Sequence, residues 1–183
     1  WSGELSYELY LQNRKLGNEL FEIVHEAAKE FNASVIAPNT IRTIEGGLLS
    51  YQSDFGREHN PYTIGLDRLV DVDQDIDFIG KEALKKIKED GISEKLVGVE
   101  IDGDPIQKAP ENFWPVFDVN SNKIGRLSRC FYSPRLKKNI GLAIIDMKFT
   151  EPGTSLVIES PNAHLNAQVH ELPWFPAEKS TNL

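Results

Sequence analysis

The spacing of hydrophobic and polar positions changes along this chain. Over residues 1–11 the apolar positions alternate, with Leu5, Tyr7, Leu9 and Leu11 on one side of an extended chain and Ser6, Glu8 and Tyr10 on the other. That alternation predicts an amphipathic strand, because successive strand side chains point to opposite faces. Over residues 14–31 the period lengthens. Leu16, Leu20, Ile23, Val24, Ala27 and Phe31 form one stripe at helical spacing, which predicts a surface helix packed on a sheet. Pro38 and Asn39 then interrupt, and residues 40–49 predict a second helix with Ile41, Ile44, Leu48 and Leu49 on its apolar side. Gly46 and Gly47 weaken that helix, since a glycine in a helix interior costs about 1 kcal/mol relative to alanine. Either another backbone or a ligand comes close to them, or the helix ends there.

Residues 51–61 read as a polar loop, and residues 62–72 as a strand entering the acidic run Asp71, Asp73, Asp75 and Asp77. The run lacks the central glycine and terminal glutamate of a calcium loop, so a solvated turn is expected. Residues 78–89 predict a short helix with Ala83, Leu84 and Ile87 inward and lysines outward, ended by Asp90-Gly91. From residue 95 onward the texture is that of short strands, over 95–101, 114–119, 123–128, 140–147, 155–158 and 165–172. Turn signals separate them at the spacing of a small all-β barrel or sandwich. The expected fold class is α+β, with a boundary near residues 90–94, no internal repeat, and a polar tail after Trp174.

Composition narrows the function. The chain has 183 residues, 40% of them hydrophobic, enough for one ordinary domain or two small ones. A net charge of -8 argues against a general binder of nucleic acid or anionic membrane. No apolar run is long enough to span a bilayer and no signal-peptide pattern is present. The first residue is Trp and the chain opens directly in a strand-like segment, so it is expected to begin inside a longer protein. The basic cluster Arg135, Lys137 and Lys138 reads as a solvated hairpin end, or as a counterpart for a small polyanionic tail. A single cysteine, Cys130, excludes an internal disulfide and a multi-cysteine metal site, and is compatible with a reducing, cytoplasmic setting. The four histidines are scattered without a metal-site pair, so neither a metal nor a catalytic histidine is expected. No P-loop, G-x-S-x-G or G-x-G-x-x-G occurs. The chemistry must then come from a bound cofactor or from a residue upstream.

Glu8 beside Tyr10 on the polar face of the first segment suits a flat heterocyclic ligand. A carboxylate there can accept two parallel N–H bonds from an amino-pyrimidinone edge, and Tyr10 or Trp1 can cover a ring face. A Glu on an outward strand face is also compatible with simple solvation.

An ordered set of segments carries a family resemblance. They are Trp1-Ser2-Gly3-Glu4 followed by Tyr7-Glu8, Ile44-Glu45-Gly46-Gly47-Leu48-Leu49-Ser50-Tyr51, Asp77-Phe78-Ile79-Gly80-Lys81-Glu82-Ala83-Leu84, Leu96-Val97-Gly98-Val99, Ile124-Gly125, Ser133-Pro134 and Ile140-Gly141-Leu142-Ala143. With these in order, the chain resembles the C-terminal half of the tetrahydrofolate-dependent aminomethyltransferases, the glycine cleavage T-protein family. Trp1, the Asn60-Pro61 loop, residues 73–79 and the stretch Cys130-Phe131-Tyr132-Ser133-Pro134 are most similar to its dimethylsulfoniopropionate demethylase branch. The resemblance implies residues 1–91 as the C-terminal part of a folate-binding domain, 92–176 as a C-terminal β-barrel, and 177–183 as a polar tail. It implies tetrahydrofolate as cofactor, a sulfonium or aminomethyl carrier as one-carbon donor, and the N-terminal half of its own chain as a partner. Carried over by position, Glu8 would accept from the pterin's amino edge, Trp1 and Tyr10 would flank the ring, and Tyr51 would line the same cavity or belong to the core.

One position departs from the family. An arginine usually stands two residues before the glutamate of the Glu45-Gly46-Gly47 motif, where this chain has Thr43, with Arg42 one position earlier. A one-residue shift on a helix turns a side chain by about 100°, so Arg42 does not simply replace it. The family's catalytic carboxylate belongs to the N-terminal half, so no catalytic residue is expected within these residues and the fragment alone should be inactive. The rival expectation is a folate-binding module of the same fold without transfer chemistry.

Overall fold

The computed structural model describes residues 6–37 and 39–176. Its centre is a closed antiparallel barrel of six strands, β1 (Glu94–Ile101), β2 (Trp114–Phe117), β3 (Lys123–Ser133), β4 (Lys138–Asp146), β5 (Ser155–Glu159) and β6 (His164–His170), in the order β1-β4-β3-β2-β5-β6. Of the barrel and sandwich architectures the strand spacing allowed, the barrel is the one formed.

Two apolar layers explain why β1 and β4 read as nearly unbroken hydrophobic runs. Val97, Val99 and Ile101 point into the barrel with Leu127, Ala143, Ile145, Leu156, Ile158 and Val169. On the outer face, Leu96, Ile140, Leu142 and Ile144 pack against Ile44. A strand covered on both faces loses polar alternation. The second cover is α2 (Thr40–Glu45), whose residues Thr43, Ile44 and Glu45 are buried and whose first turn is capped by Asn39 Oδ1 accepting from Ile41 N at 2.8 Å. β3 runs five residues beyond the expected end at 128, and its pairing with β4 shifts between Leu127 and Arg129. This bulge interrupts the period that a sequence reading relies on.

Two helices follow their patterns. α1 (Gly17–Ala28) is extended by 3-10 turns over Arg14–Leu16 and Lys29–Phe31, and α3 (Lys81–Asp90) stops at Gly91 with φ 81. The acidic run before α3 is an exposed series of bends, tied to the helix by Lys88 Nζ at 2.8 Å from Asp73 Oδ2.

Three expectations are corrected and a fourth in part. Residues 6–11 form no strand, and Tyr7 and Leu9 are exposed; residues 1–5 lie outside the described residues. A strand needs a neighbour to bond with, and no described strand lies beside this segment. For the same reason α1 is packed on no sheet and buries no residue, although its stripe is intact. Residues 62–72 are turns with a 3-10 turn at Asp67–Leu69 rather than a strand. Asn60 Oδ1 accepts from Tyr62 N and Thr63 N at 3.0 and 3.1 Å, which closes the chain into an Asx turn. The polar tail is corrected in part: Phe175 lies under the Arg135 guanidinium, 3.7 Å from it, while residues 177–183 lie outside the described residues.

Candidate functional site

α2 ends at Glu45, so of the two purposes that the sequence left open for the glycines after it, the helix end is the one they serve. Gly47 takes φ 63, where a side chain is strained, and a Cβ there would stand 3.5 Å from Leu172 Cβ and 3.6 Å from Pro173 Cβ. The C-terminal segment crosses the helix end at ordinary contact distance, so it is the positive φ that calls for glycine at 47. Trp174 N and Phe175 N donate to Glu45 O at 2.9 and 3.3 Å, satisfying a carbonyl at the helix C-terminus.

A cleft of about 980 Å³ opens beside this crossing. Its walls are the turn from Gly46 to Leu49, the loop from Ile64 to Arg68, the start of β1 from Lys95 to Val97, residues 147–152 in part, and the C-terminal crossing. Leu96 N donates to Thr63 O at 2.7 Å, which holds the 64–68 loop against the barrel. Apolar Leu49, Ile64, Leu66 and Leu96 stand among the cations Arg68 and Lys95 and the acids Asp67, Glu151 and Glu171. The size is that of a small-molecule site, about 300 to 1,000 Å³.

Behind the Gly46 to Leu49 wall lies a buried polar network. Arg129 presents its guanidinium side-on to Asp54, with Nε 2.7 Å from Oδ1 and Nη2 2.6 Å from Oδ2. The same group donates to Thr43 Oγ1 at 3.0 Å and Leu48 O at 2.9 Å. Ser128 Oγ adds a bond to Asp54 Oδ1 at 2.8 Å, and Ser50 N one to Oδ2 at 2.7 Å. Glu45 is also buried, with Oε1 accepting from Ser133 Oγ at 2.6 Å and Oε2 lying 4.0 Å from Arg135.

Of the residues the sequence singled out, Glu8 accepts a hydrogen bond from the Tyr10 hydroxyl, and both are exposed. That bond holds the Tyr10 hydroxyl above its ordinary pKa. Neither residue lines the cleft, but Ser6 of the same segment does. Tyr51 is exposed, meets Phe55 edge-on at 5.7 Å, and also stands outside the cleft. Trp1 lies outside the described residues. Glu8 and Tyr10 are therefore together, and Tyr51 is not with them in a common pocket. In the basic cluster, Lys138 is paired with Glu100 and Arg135 is stacked on Phe175, so both have partners within the chain.

Arg129 and Asp54 escaped the sequence reading, and Glu45 entered it only as part of the Glu45-Gly46-Gly47 motif, with no site role. Arg129 stands one residue past the expected strand end at 128, in a mixed polar and apolar stretch, and gave no signal of a site. Asp54 in a polar loop carried none.

Elsewhere the ionisable groups are structural. Burial alone pushes the Cys130 thiol up to about 12, which removes it as a nucleophile. Asp118 is held below the usual carboxylate range, first by the side-chain amide of Asn122 and then by its backbone N–H. Among the described residues, no group of three or more His, Cys, Asp or Glu could hold a metal, and no helix is long and apolar enough to cross a membrane.

Comparison with known proteins agrees with this architecture. Residues 94–176 match the glycine cleavage T-protein C-terminal barrel domain, and residues 1–74 match the GCVT N-terminal domain. The chain is 30% identical over 176 residues to dimethylsulfoniopropionate demethylase DmdA of Ruegeria pomeroyi, covering 95% of this chain and 46% of that protein. It is 37% identical over 183 residues to an aminomethyltransferase of a Geobacillus species, covering 98% and 48% respectively. The fold is similar to that of the glycine cleavage system aminomethyltransferase T from Bartonella henselae, with TM-score 0.75 at 17% identity, over 87% of this chain and 45% of that one. The chain spans about half the length of the curated relatives it matches.

Proposed function

The chain belongs to the glycine cleavage T-protein family, and from that membership we propose that it forms the folate-binding C-terminal portion of a tetrahydrofolate-dependent one-carbon transferase. The observation that carries this reading is the cleft at the Glu45-Gly46-Gly47 turn. Its apolar walls fit a pterin and its linked ring, and Arg68 and Lys95 fit the carboxylates of a glutamyl tail. Bound tetrahydrofolate supplies the nucleophilic N5. What the protein must add is rigid positioning of that atom toward the donor carbon and exclusion of water.

Residues 1–91 complete a folate-binding domain whose other part lies upstream, and residues 92–176 are the barrel that braces it. The upstream half is the natural cover for the apolar side of α1. Phe21, Ile23 and Val24 of α1 are exposed, and apolar side chains left uncovered on a helix suit an interface. Glu8, Tyr10 and Tyr51 stand outside this cleft among the described residues, so the reading in which Glu8, Tyr10 and Trp1 contact the pterin and Tyr51 faces the same cavity requires the upstream half to bring them to it. The whole enzyme works in the cytoplasm.

For the donor we favour the sulfonium reading, on residues 130–134 and the similarity to the Ruegeria protein. In that reaction the carbon–sulfur bond breaks with its electrons on sulfur, N5 gains the methyl group, and N5 loses its proton. An aminomethyl carrier is the second reading, favoured by relatives at 37% identity. The test is titration of tetrahydrofolate into the full-length protein, followed by addition of dimethylsulfoniopropionate or of aminomethyl-lipoyl carrier. Formation of 5-methyltetrahydrofolate from the sulfonium supports the first donor, and formation of methylenetetrahydrofolate supports the second. Binding without transfer from either points to a folate-binding module, and absence of binding sinks the folate reading.

A further inference from the structure

We propose that Arg129 is a positioning residue, which fixes the Gly46 to Ser50 wall of the cleft from the barrel side. The proposal rests on the reading of that cleft as the ligand site. Its basis is the number of points at which one buried cation holds one loop. The side chain of Arg129 is 12% exposed and that of Asp54 is 0% exposed. From β3 the guanidinium reaches Thr43 Oγ1, Leu48 O and both oxygens of Asp54. Asp54 in turn accepts from Ser50 N. The loop is thereby gripped at 43, 48, 50 and 54, and Leu48 and Leu49, which lie between those points, line the cleft.

This segment needs an external grip because it contains Gly46 and Gly47, which leave its backbone permissive. A planar fork provides one, holding carboxylate and carbonyl oxygens at fixed angles, as a lysine ammonium on a flexible stem does not. Thr43 belongs to the same device. Its side chain is short enough to admit the guanidinium beside it and presents an oxygen to Nη1 at 3.0 Å. The cation that position 43 lacks is thus delivered to its side from β3, and the departure at Thr43 becomes half of a matched pair.

The test compares full-length wild type, R129M and R129K. Hydrogen–deuterium exchange reads peptides over 46–54 and over β4, and calorimetry reads tetrahydrofolate affinity at a temperature where each variant is folded. The expected result for R129M is faster exchange over 46–54 with β4 unchanged, and tetrahydrofolate binding weakened about tenfold, equivalent to about 1.4 kcal/mol. R129K should fall between, and it carries the test if R129M does not fold. Unchanged exchange over 46–54, acceleration spread equally across the barrel, or lowered thermal stability with unchanged affinity would each overturn the proposal. If wild type itself binds no tetrahydrofolate, the functional reading fails. The exchange pattern still decides whether Arg129 fixes the wall.

Discussion

Ser128 and Arg129 are adjacent on one strand, yet both donate to Asp54 Oδ1, at 2.8 and 2.7 Å. Regular strand geometry would send them to opposite faces. The bulge between Leu127 and Arg129 turns both toward the 43–54 loop. The bulge is the local irregularity through which the barrel takes hold of the cleft wall.

Breaking that contact from the loop side should be costly. Asp54→Ala leaves the Arg129 guanidinium buried without its carboxylate and is expected to cost about 3 to 5 kcal/mol. Removing both charges together, as D54L/R129M, should recover much of the loss. Urea unfolding of the full-length variants measures both. Destabilisation of the double variant equal to the sum of those of D54L and R129M measured singly would show that the pair is not coupled.

Ser133→Ala removes the hydrogen bond to buried Glu45 and should lower stability by about 1.5 to 3 kcal/mol, the range for a bond to a charged group. The same denaturation experiment reads it. A change near zero would mean that Arg135 or solvent takes over the Glu45 oxygen.

Glu8 is exposed, so Glu8→Gln should leave thermal stability nearly unchanged. If Glu8 holds the pterin edge in the complete protein, the variant loses a charge-assisted pair worth about 1.5 to 3 kcal/mol of binding. Calorimetric titration with tetrahydrofolate decides, and unchanged affinity would remove Glu8 from the site.

Asp118 accepts from Asn120 N, Asn122 N and Asn122 Nδ2 at 2.9, 2.8 and 2.9 Å, which lowers its pKa in the folded protein. A lowered folded-state pKa stabilises the fold above the unfolded value, about 3.9 for Asp, and that contribution is lost as pH falls through the folded value. Stability measured from pH 5 downward should therefore fall less steeply in Asp118→Asn than in wild type. Parallel curves would show that this turn does not govern the acid limb.

The Cys130 thiol, fully buried and pushed up to about 12, should not react with a thiol reagent at pH 8 while the protein is folded. One equivalent should react after unfolding in denaturant. Stoichiometric labelling of the native protein would mean that β3 opens on the labelling timescale.

What the sequence determined by itself was everything set by local spacing. The helical stripe of 14–31, the stop at Gly91 and the places of the six barrel strands along the chain follow from apolar runs and turn residues, which neighbours in sequence supply. The family, too, was legible in short ordered segments. Tertiary structure decided whatever depends on a distant neighbour. The alternation of residues 6–11 made no strand, because no described strand lies beside it, and the α1 stripe found no sheet. Asp54 and Arg129, 75 residues apart, gave no joint signal in sequence. Only closure of the barrel, with its bulge on β3, brings that carboxylate and guanidinium into one buried contact behind the cleft, where neither charge could stay without the other.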